Sequence, residues 1–551
     1  MTDRRWAQAV MPRGQQWLHA CLDDLVTHNH AIRLLDAVLN ELDWSEWEGS
    51  YSSERRGQPP LHPRLLAGCI LYGLLRKLRS SRQLEDATRE RLDFQWFLEG
   101  RTIDHSTFAD FRVAFAEKLK ELNRAFARRL VSAHEGALET LVVDGTRIRA
   151  CSDRHGARTA ETLERMIQKC AQVLNERLAT LEEADEREAV ESRETAELRQ
   201  EIERLRSQLE HYEKAAAVAH ERDAQRRKKE GKNARPVSVP VNDPDSSIVP
   251  NKEGGFAPNY TPAVVVDAAS GAIVLGDVPE GSQENTVVMP GVEEARHLGG
   301  EPKRVLADTA FGCGENLAQL DAQHVEACMP TGTDFRASNP ANRPDLTQPV
   351  PEDQWDQLPM ANGKLRASAF IYDAECDEYR CPIARALTPQ HTGHHRSGAA
   401  HVTYACPGRE GCPLADRCIG KDAARRTLAR DEYQDLRDKA GRSMASEEGS
   451  ARYKKRAPLV EVVFARIKGQ MGIRDFLLRG LDKVRCEWNW VCCTYNLKLI
   501  LQMMQETGKR PENTPRKAPS SANTRLQSLF SRAVHAILTL KVRGGTRCAT
   551  A

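Results

Sequence analysis

Apolar positions over residues 1–135 recur at helical spacing with few strand-like runs, and predict an all-helical N-terminal domain. Leu65, Leu66, Cys69, Ile70, Tyr72, Gly73 and Leu75 follow Pro63. Proline suits a first helical turn, because its fixed φ and missing N–H cost nothing there. That helix runs into Arg76, Lys77 and Arg79, cations placed where a helix C-terminus favours them. Asp104 precedes a further run containing Phe108 and Phe111 and is its expected N-cap. The pattern changes at Leu141 Val142 Val143 Asp144 Gly145 Thr146 Arg147 Ile148, an apolar, partly β-branched run around one carboxylate, which reads as a buried strand.

Residues 157–230 contain neither Gly nor Pro, and 157–235 is read as a helical insertion. Leu198, Ile202, Leu205, Leu209 and Tyr212 follow the 4-3-4-3 spacing of a coiled-coil seam. Leu163, Met166, Cys170 and Val173 continue similar spacing in the first half. The polar middle, Glu182 to Glu197, is where the chain would reverse if this insertion is a hairpin rather than one straight helix. A solvated spacer and a dimerisation arm both fit this composition.

Strand patterning resumes with Ala263–Asp267 and Ala272–Gly276, joined by Ala268 Ala269 Ser270 Gly271 as a hairpin turn. A helix over Val287 to Leu298 leads to a strand ending at Asp308, then a short helix and the strand Val325–Met329. Residues 331–455 form a Pro- and Cys-rich insertion, and an amphipathic helix with Glu461 near its start follows, within C-terminal helices over 456–504. Residues 136–156, 236–330 and 456–504 thus compose one mixed α/β core interrupted twice. The order strand, hairpin, helix, strand, helix, strand, helix is that of an RNase H-like fold. Residues 505–551 read as a partly disordered tail.

Composition changes the picture in two places. The net charge is only +2, but acidic residues outnumber basic ones by seven over 160–224, leaving +9 on the remainder. That is a basic surface masked by one acidic arm. No apolar run approaches the roughly 18 residues of a membrane span, and Met1 to Trp6 has no apolar secretion core. A cytoplasmic or nucleoid protein without a membrane partner is expected, with its fifteen cysteines as thiols or metal ligands rather than disulfides.

A carboxylate in a buried strand needs a hydrogen-bonding partner or a cation. Asp144 and Asp308 at strand positions, with Glu461 reaching in from a packed helix, would bind two Mg²⁺ or Mn²⁺ ions, an arrangement suited to phosphodiester chemistry. Taken singly, each aspartate reads more readily as a turn former or helix cap, and it is the combination with the order of elements that lifts the metal reading. Lys468 lies two helical turns from Glu461, and Tyr453 and Arg456 precede it; their cations would contact a DNA backbone, or simply face solvent. Cys381, Cys406, Cys412 and Cys418 are the preferred set for a structural zinc, with Cys376, His391, His394 and His395 as further candidates, although tight C-x₂₋₄-C pairs are the commoner signature. Cys492 and Cys493 are expected in a helical core.

On these residues the chain resembles bacterial insertion-sequence transposases of the DDE type. The matching stretches are Val143 to Thr146, Asp243 Pro244 Asp245 Ser246, Asn259 Tyr260 Thr261, Leu306 to Gly312, and Tyr453…Arg456…Glu461…Lys468. Arg479 Gly480 Leu481, Tyr495 to Lys498 and the Pro59 to Arg112 unit resemble the family too. The resemblance implies Asp144, Asp308 and Glu461 as a metal-dependent catalytic triad. It further implies DNA element ends and target DNA as partners, a homo-oligomeric active complex, and terminal-repeat recognition by the N-terminal helices. Two features depart from the pattern: four residues rather than three separate Arg456 from Glu461, and Phe311 stands where Tyr is usual. A catalytically silent DNA-binding scaffold and a nuclease without strand transfer are the alternative functions.

Overall fold

The computed structural model describes residues 21–50, 60–187, 193–231, 233–250, 254–281, 283–394 and 400–507. The readings made for 505–551 beyond Thr507, and for His395, fall outside them. In the N-terminal region α1 (Ala31–Asn40), α2 (Pro63–Leu75), α3 (Ser81–Glu90), α4 (His105–Ala114) and α5 (Ala116–Val131) follow one another. Pro63 occupies the first turn of α2. Asp104 caps α4, its Oδ1 accepting from the Ser106 and Thr107 N–H groups at 2.9 and 3.0 Å.

The apolar run forms β1 (Thr140–Gly145), with Leu141, Val142 and Val143 fully buried. It ends three residues before Ile148, because the chain turns at Thr146, whose N–H is bound by Pro262 O. Ile148 pairs instead with Tyr260 in a separate three-stranded sheet.

The arm is a helical hairpin. α6 (Ala160–Arg187) and α7 (Arg193–Glu230) run antiparallel: Glu164 meets His220, Cys170 Sγ lies 3.6 Å from Leu205 O, and Arg177 pairs with Glu201. The α7 seam faces this partner as its spacing predicts. In α6 the seam is Leu163, Ile167, Cys170 and Leu174, whereas Val173 is exposed, so the register differs from the expected Met166 and Val173. Ala215, Ala216 and Ala219 pack with Leu163, small residues that let the helices approach closely.

β2 (Ala263–Asp267) lies antiparallel beside β1, and β3 (Ile273–Asp277) antiparallel beside β2. Asp267 explains the turn between them: fully buried, its carboxylate accepts from Leu138 N, Ser270 N and Ser270 Oγ. After α8 (Val288–His297), β4 (Arg304–Leu306) runs parallel to β1. α9 (Gly314–Ala322) then leads to β5 (Glu326–Cys328), giving the order β5-β4-β1-β2-β3. The period-two alternation of strands sorts the two faces. Leu141, Val143, Val265 and Val305 pack with Val292 of α8 and Leu317 of α9.

Residues 331–455 are more ordered than a Cys-rich insertion suggests. β6 (Ile371–Asp373), β7 (Glu378–Arg380), β8 (Ala386–His394), β9 (Ala400–Ala405) and β10 (Thr427–Asp431) make an antiparallel sheet with its own apolar core. α10 (Gln434–Ala445) and α11 (Glu447–Lys454) return the chain to the first sheet. There α12 (Arg456–Ala465) lies across the face opposite α8, its Val460 buried with Val142, Leu306 and Cys328.

The last described helix, α13 (Leu481–Thr507), joins the two halves. One apolar cluster runs from α1, α2 and α5 through Trp488, Val491, Cys492 and Cys493 to Val264, Val266 and Ile273 of the sheet. Cys492 and Cys493 are thus core residues, as expected. Gly276 permits the approach, since a Cβ there would strike Cys492 Sγ. A polar seam crosses this junction: Asn496 accepts from Ile273 N and donates to Asn123 Oδ1, each at 2.8 Å, while Asn123 donates to Ile273 O at 3.2 Å. Asn123→Ala leaves a buried amide of Asn496 half-paired, and is expected to lower unfolding free energy by about 1–2 kcal/mol in a denaturant titration. Among the described residues no helix is long and apolar enough to cross a membrane.

Candidate active site

Val142 and Leu306 face each other across the parallel pair β1–β4, and Asp144 and Asp308 each lie two residues further along their chains. Their matched spacing brings both aspartates to the same edge of the sheet. Asp308 continues past β4 as the N-cap of a 3₁₀ turn, Thr309–Phe311, its Oδ1 accepting from Ala310 N at 2.8 Å. Phe311 is fully buried in the apolar cluster beneath the sheet.

Asp144 is opposed by α12. Arg456 Nη1 lies 3.5 Å from Asp144 Oδ2, too long to satisfy that buried nitrogen with a hydrogen bond, and the guanidinium sits 5.8 Å from the Tyr453 ring centroid. Lys468, in the π-helical turn after α12, donates to Thr146 Oγ1 at 2.6 Å and Arg147 O at 2.9 Å, on the loop leaving β1. Tyr453, Arg456 and Lys468 thus all belong to the elements around Asp144. Glu461 lies on the same helix next to the buried Val460, is exposed, and makes no hydrogen bond or ion pair with a described residue. Asp144, Asp308 and Glu461 are not drawn within 4.8 Å of one another as they would be around a single ion.

One carboxylate near this edge carried no signal in the sequence. Glu284 opens the 3₁₀ turn Glu284–Val287 that leads into α8, and its carboxylate fills the space where a Cβ on Gly145 would stand. Burial, then the charges of Asp308 and Asp144, push its pKa up to about 7, against a small opposing effect of Arg147. Carboxylates from three separate elements are thus coupled at one sheet edge. Such a set suits hard divalent cations, which prefer oxygen ligands and keep some of their waters, although no three of Asp144, Glu284, Asp308 and Glu461 close to within 4.8 Å of one another.

Two segments of the chain match known families. Residues 380–501, covering β8 to β10 of the second sheet and α10 to most of α13, match the family Transposase DDE domain, and residues 20–114 match Transposase domain (DUF772). These matches indicate an insertion-sequence DDE transposase. No curated protein matches the chain. Glu461, Arg456 and Lys468 fall inside the first matched segment, while Asp144 and Asp308 fall between the two.

In the region of the second sheet, Cys381, Cys406, Cys412 and Cys418 share one small core. Burial, reinforced by the three neighbouring thiols and opposed by Arg426, pushes Cys418 up to about 11. Among the described residues no three of these sulfurs lie within 4.8 Å of one another. The tighter group is Asp373, Cys376 and Glu378 on the β6–β7 turn, where Glu378 is already paired with Arg380. His391 and His394 lie on β8.

Proposed function

We propose that this transposase binds the terminal inverted repeats of its element, cuts the DNA there and joins the freed ends to a target, using an RNase H-like core. The observation that carries the reading is the equivalent placement of Asp144, near the end of β1, and Asp308, two residues past the end of β4, with the Glu461 helix packed across the same face. The sheet order β5-β4-β1-β2-β3, with the antiparallel hairpin β2–β3 on one flank of β1 and two parallel strands on the other, supports the assignment of the core.

Asp144 and Asp308 would hold divalent cations, Mg²⁺ or Mn²⁺, with Glu461 completing the set from α12. Such ions, when bound, would supply activation of the attacking oxygen and stabilisation of the leaving one. The chain's own residues supply position and charge. Arg456, released from half of its interaction with Asp144, and Lys468 neutralise the phosphates flanking the scissile bond. In the first step a water oxygen attacks phosphorus and the bond to the 3′ oxygen breaks, leaving a 3′-OH. In the second that 3′-OH attacks a target phosphodiester, and a target 3′ oxygen leaves. The N-terminal helices read the repeats, the active assembly contains more than one copy of the chain, and it works at the nucleoid.

The test uses purified full-length protein and labelled DNA spanning the boundaries of its own element. With Mg²⁺ or Mn²⁺ the expected products are strands cut at the element ends and joined to target DNA. Binding of ends without cutting would replace this reading with a silent scaffold, and cutting without joined product would reduce it to a nuclease.

A further inference from the structure

We infer that Glu284 is a further carboxylate of the cation site, holding the ions together with Asp144 and Asp308 from the α8 side of the sheet. The inference rests on the proposed metal-dependent reading of that site.

Three observations on the placement of Glu284 carry it. First, its turn is fastened to the turn that carries Asp308. Asn316 of α9 donates through one amide nitrogen to Asn285 O at 2.9 Å and to Phe311 O at 3.0 Å, and Asn285 Nδ2 lies 3.4 Å from Cys313 Sγ. Glu284 and Asp308 are therefore positioned by one bracket rather than by two independent loops. Second, β1 ends in glycine where the carboxylate comes in. Any side chain at residue 145 would take the space that the Glu284 oxygens occupy against the strand. Third, Glu284 makes no hydrogen bond or ion pair with any described residue, although it is half-buried beside two other acids. Arg147, the cation that influences it, spends its guanidinium on Pro250 O.

A surface glutamate without a role would turn to solvent and leave its neighbours. This one is kept among like charges by packing, an arrangement that becomes favourable once a cation lies between them. Its approach from the face opposite α12 also divides the labour: Arg456 and Lys468 arrive with the DNA-facing helix, and Glu284 comes from the fixed side.

The test is Mn²⁺ binding to the full-length protein without DNA, followed by electron paramagnetic resonance of the free ion, with end binding measured in parallel. Glu284→Gln keeps the shape and removes the charge, and is expected to weaken Mn²⁺ binding about tenfold or more while leaving end binding intact. Gly145→Ala should weaken it too, by displacing the carboxylate without altering it. Unchanged Mn²⁺ affinity in Glu284→Gln, when Asp144→Asn has lost it, overturns this inference alone. Unchanged affinity in Asp144→Asn, or no Mn²⁺ uptake by the wild-type protein, overturns the metal-site reading beneath it.

Discussion

Asp144→Asn is expected to abolish cleavage of element ends, by about 10³-fold or more, with end binding and the melting temperature retained. The substitution is nearly isosteric. Asp144 Oδ1 accepts from Gly145 N at 3.0 Å, and an asparagine oxygen accepts equally well. What disappears is the charge that faces Arg456 and that would grip a cation. Asp308→Asn should behave alike, because the residue's structural task is to cap a 3₁₀ turn, which asparagine performs as well as aspartate. The measurement is a denaturing gel of labelled ends with Mg²⁺, beside a binding assay without it. Cleavage surviving in either variant would remove that carboxylate from the catalytic role. Loss of end binding together with cleavage would mean that the variant had damaged the fold instead.

Much of this site was legible in residue order, and the parts that were not share a cause. β1, the hairpin after it and the turn at Asp308 are local: a β-branched run, a Ser-Gly turn and a capping aspartate announce themselves. The Asp104 cap and the Pro63 helix start are equally local. Glu284 is not. It follows a polar loop, and its significance arises from Gly145, almost 140 residues earlier, which leaves it room. The α6 register was misread for a related reason, since Met166 and Ile167 both suit a seam until the partner helix chooses between them. The second sheet was hidden by its own exposure. β8 is solvated along most of its length and carries a register shift between Pro389 and His391, so its residues do not alternate as a half-buried strand would. The four cysteines of that region do share a core, but spacing could not say whether their sulfurs would close on an ion.

The largest stability effect is expected at Asp243, in the Asp-Pro-Asp-Ser stretch between the arm and the sheet. Its Oδ1 accepts from Tyr260 Oη at 2.6 Å and from Gly480 N at 3.0 Å, and the neighbouring Asp245 accepts from Leu481 N at 2.9 Å. Two carboxylates thus meet the N-terminus of α13, where exposed N–H groups favour negative charge. Arg222 of α7 donates to the Ser246 and Asp245 carbonyls, so the same loop ties down the arm. Asp243→Ala would strand the Tyr260 hydroxyl and the Gly480 N–H in a buried site, a loss of about 3 kcal/mol in unfolding free energy. Asp243→Asn separates the hydrogen bonds from the charge. Burial, with Asp245 adding to it, raises the Asp243 pKa above the ordinary carboxylate value despite the opposing bonds from Tyr260 and Gly480 and the charge of Arg479. A folded-state pKa above the unfolded one means that the folded protein holds the proton more tightly. Ionisation therefore takes stability away above the folded pKa, and the loss is recovered as pH falls from the folded towards the unfolded value. The asparagine variant, which cannot ionise and still accepts both bonds, should stand above the wild type at neutral pH, with the gap closing on acidification. Denaturant titrations of both variants and the wild type at neutral and mildly acidic pH would measure it. A gap that widens with acid would show that the charge of Asp243, rather than its hydrogen bonds, holds α13 to the arm.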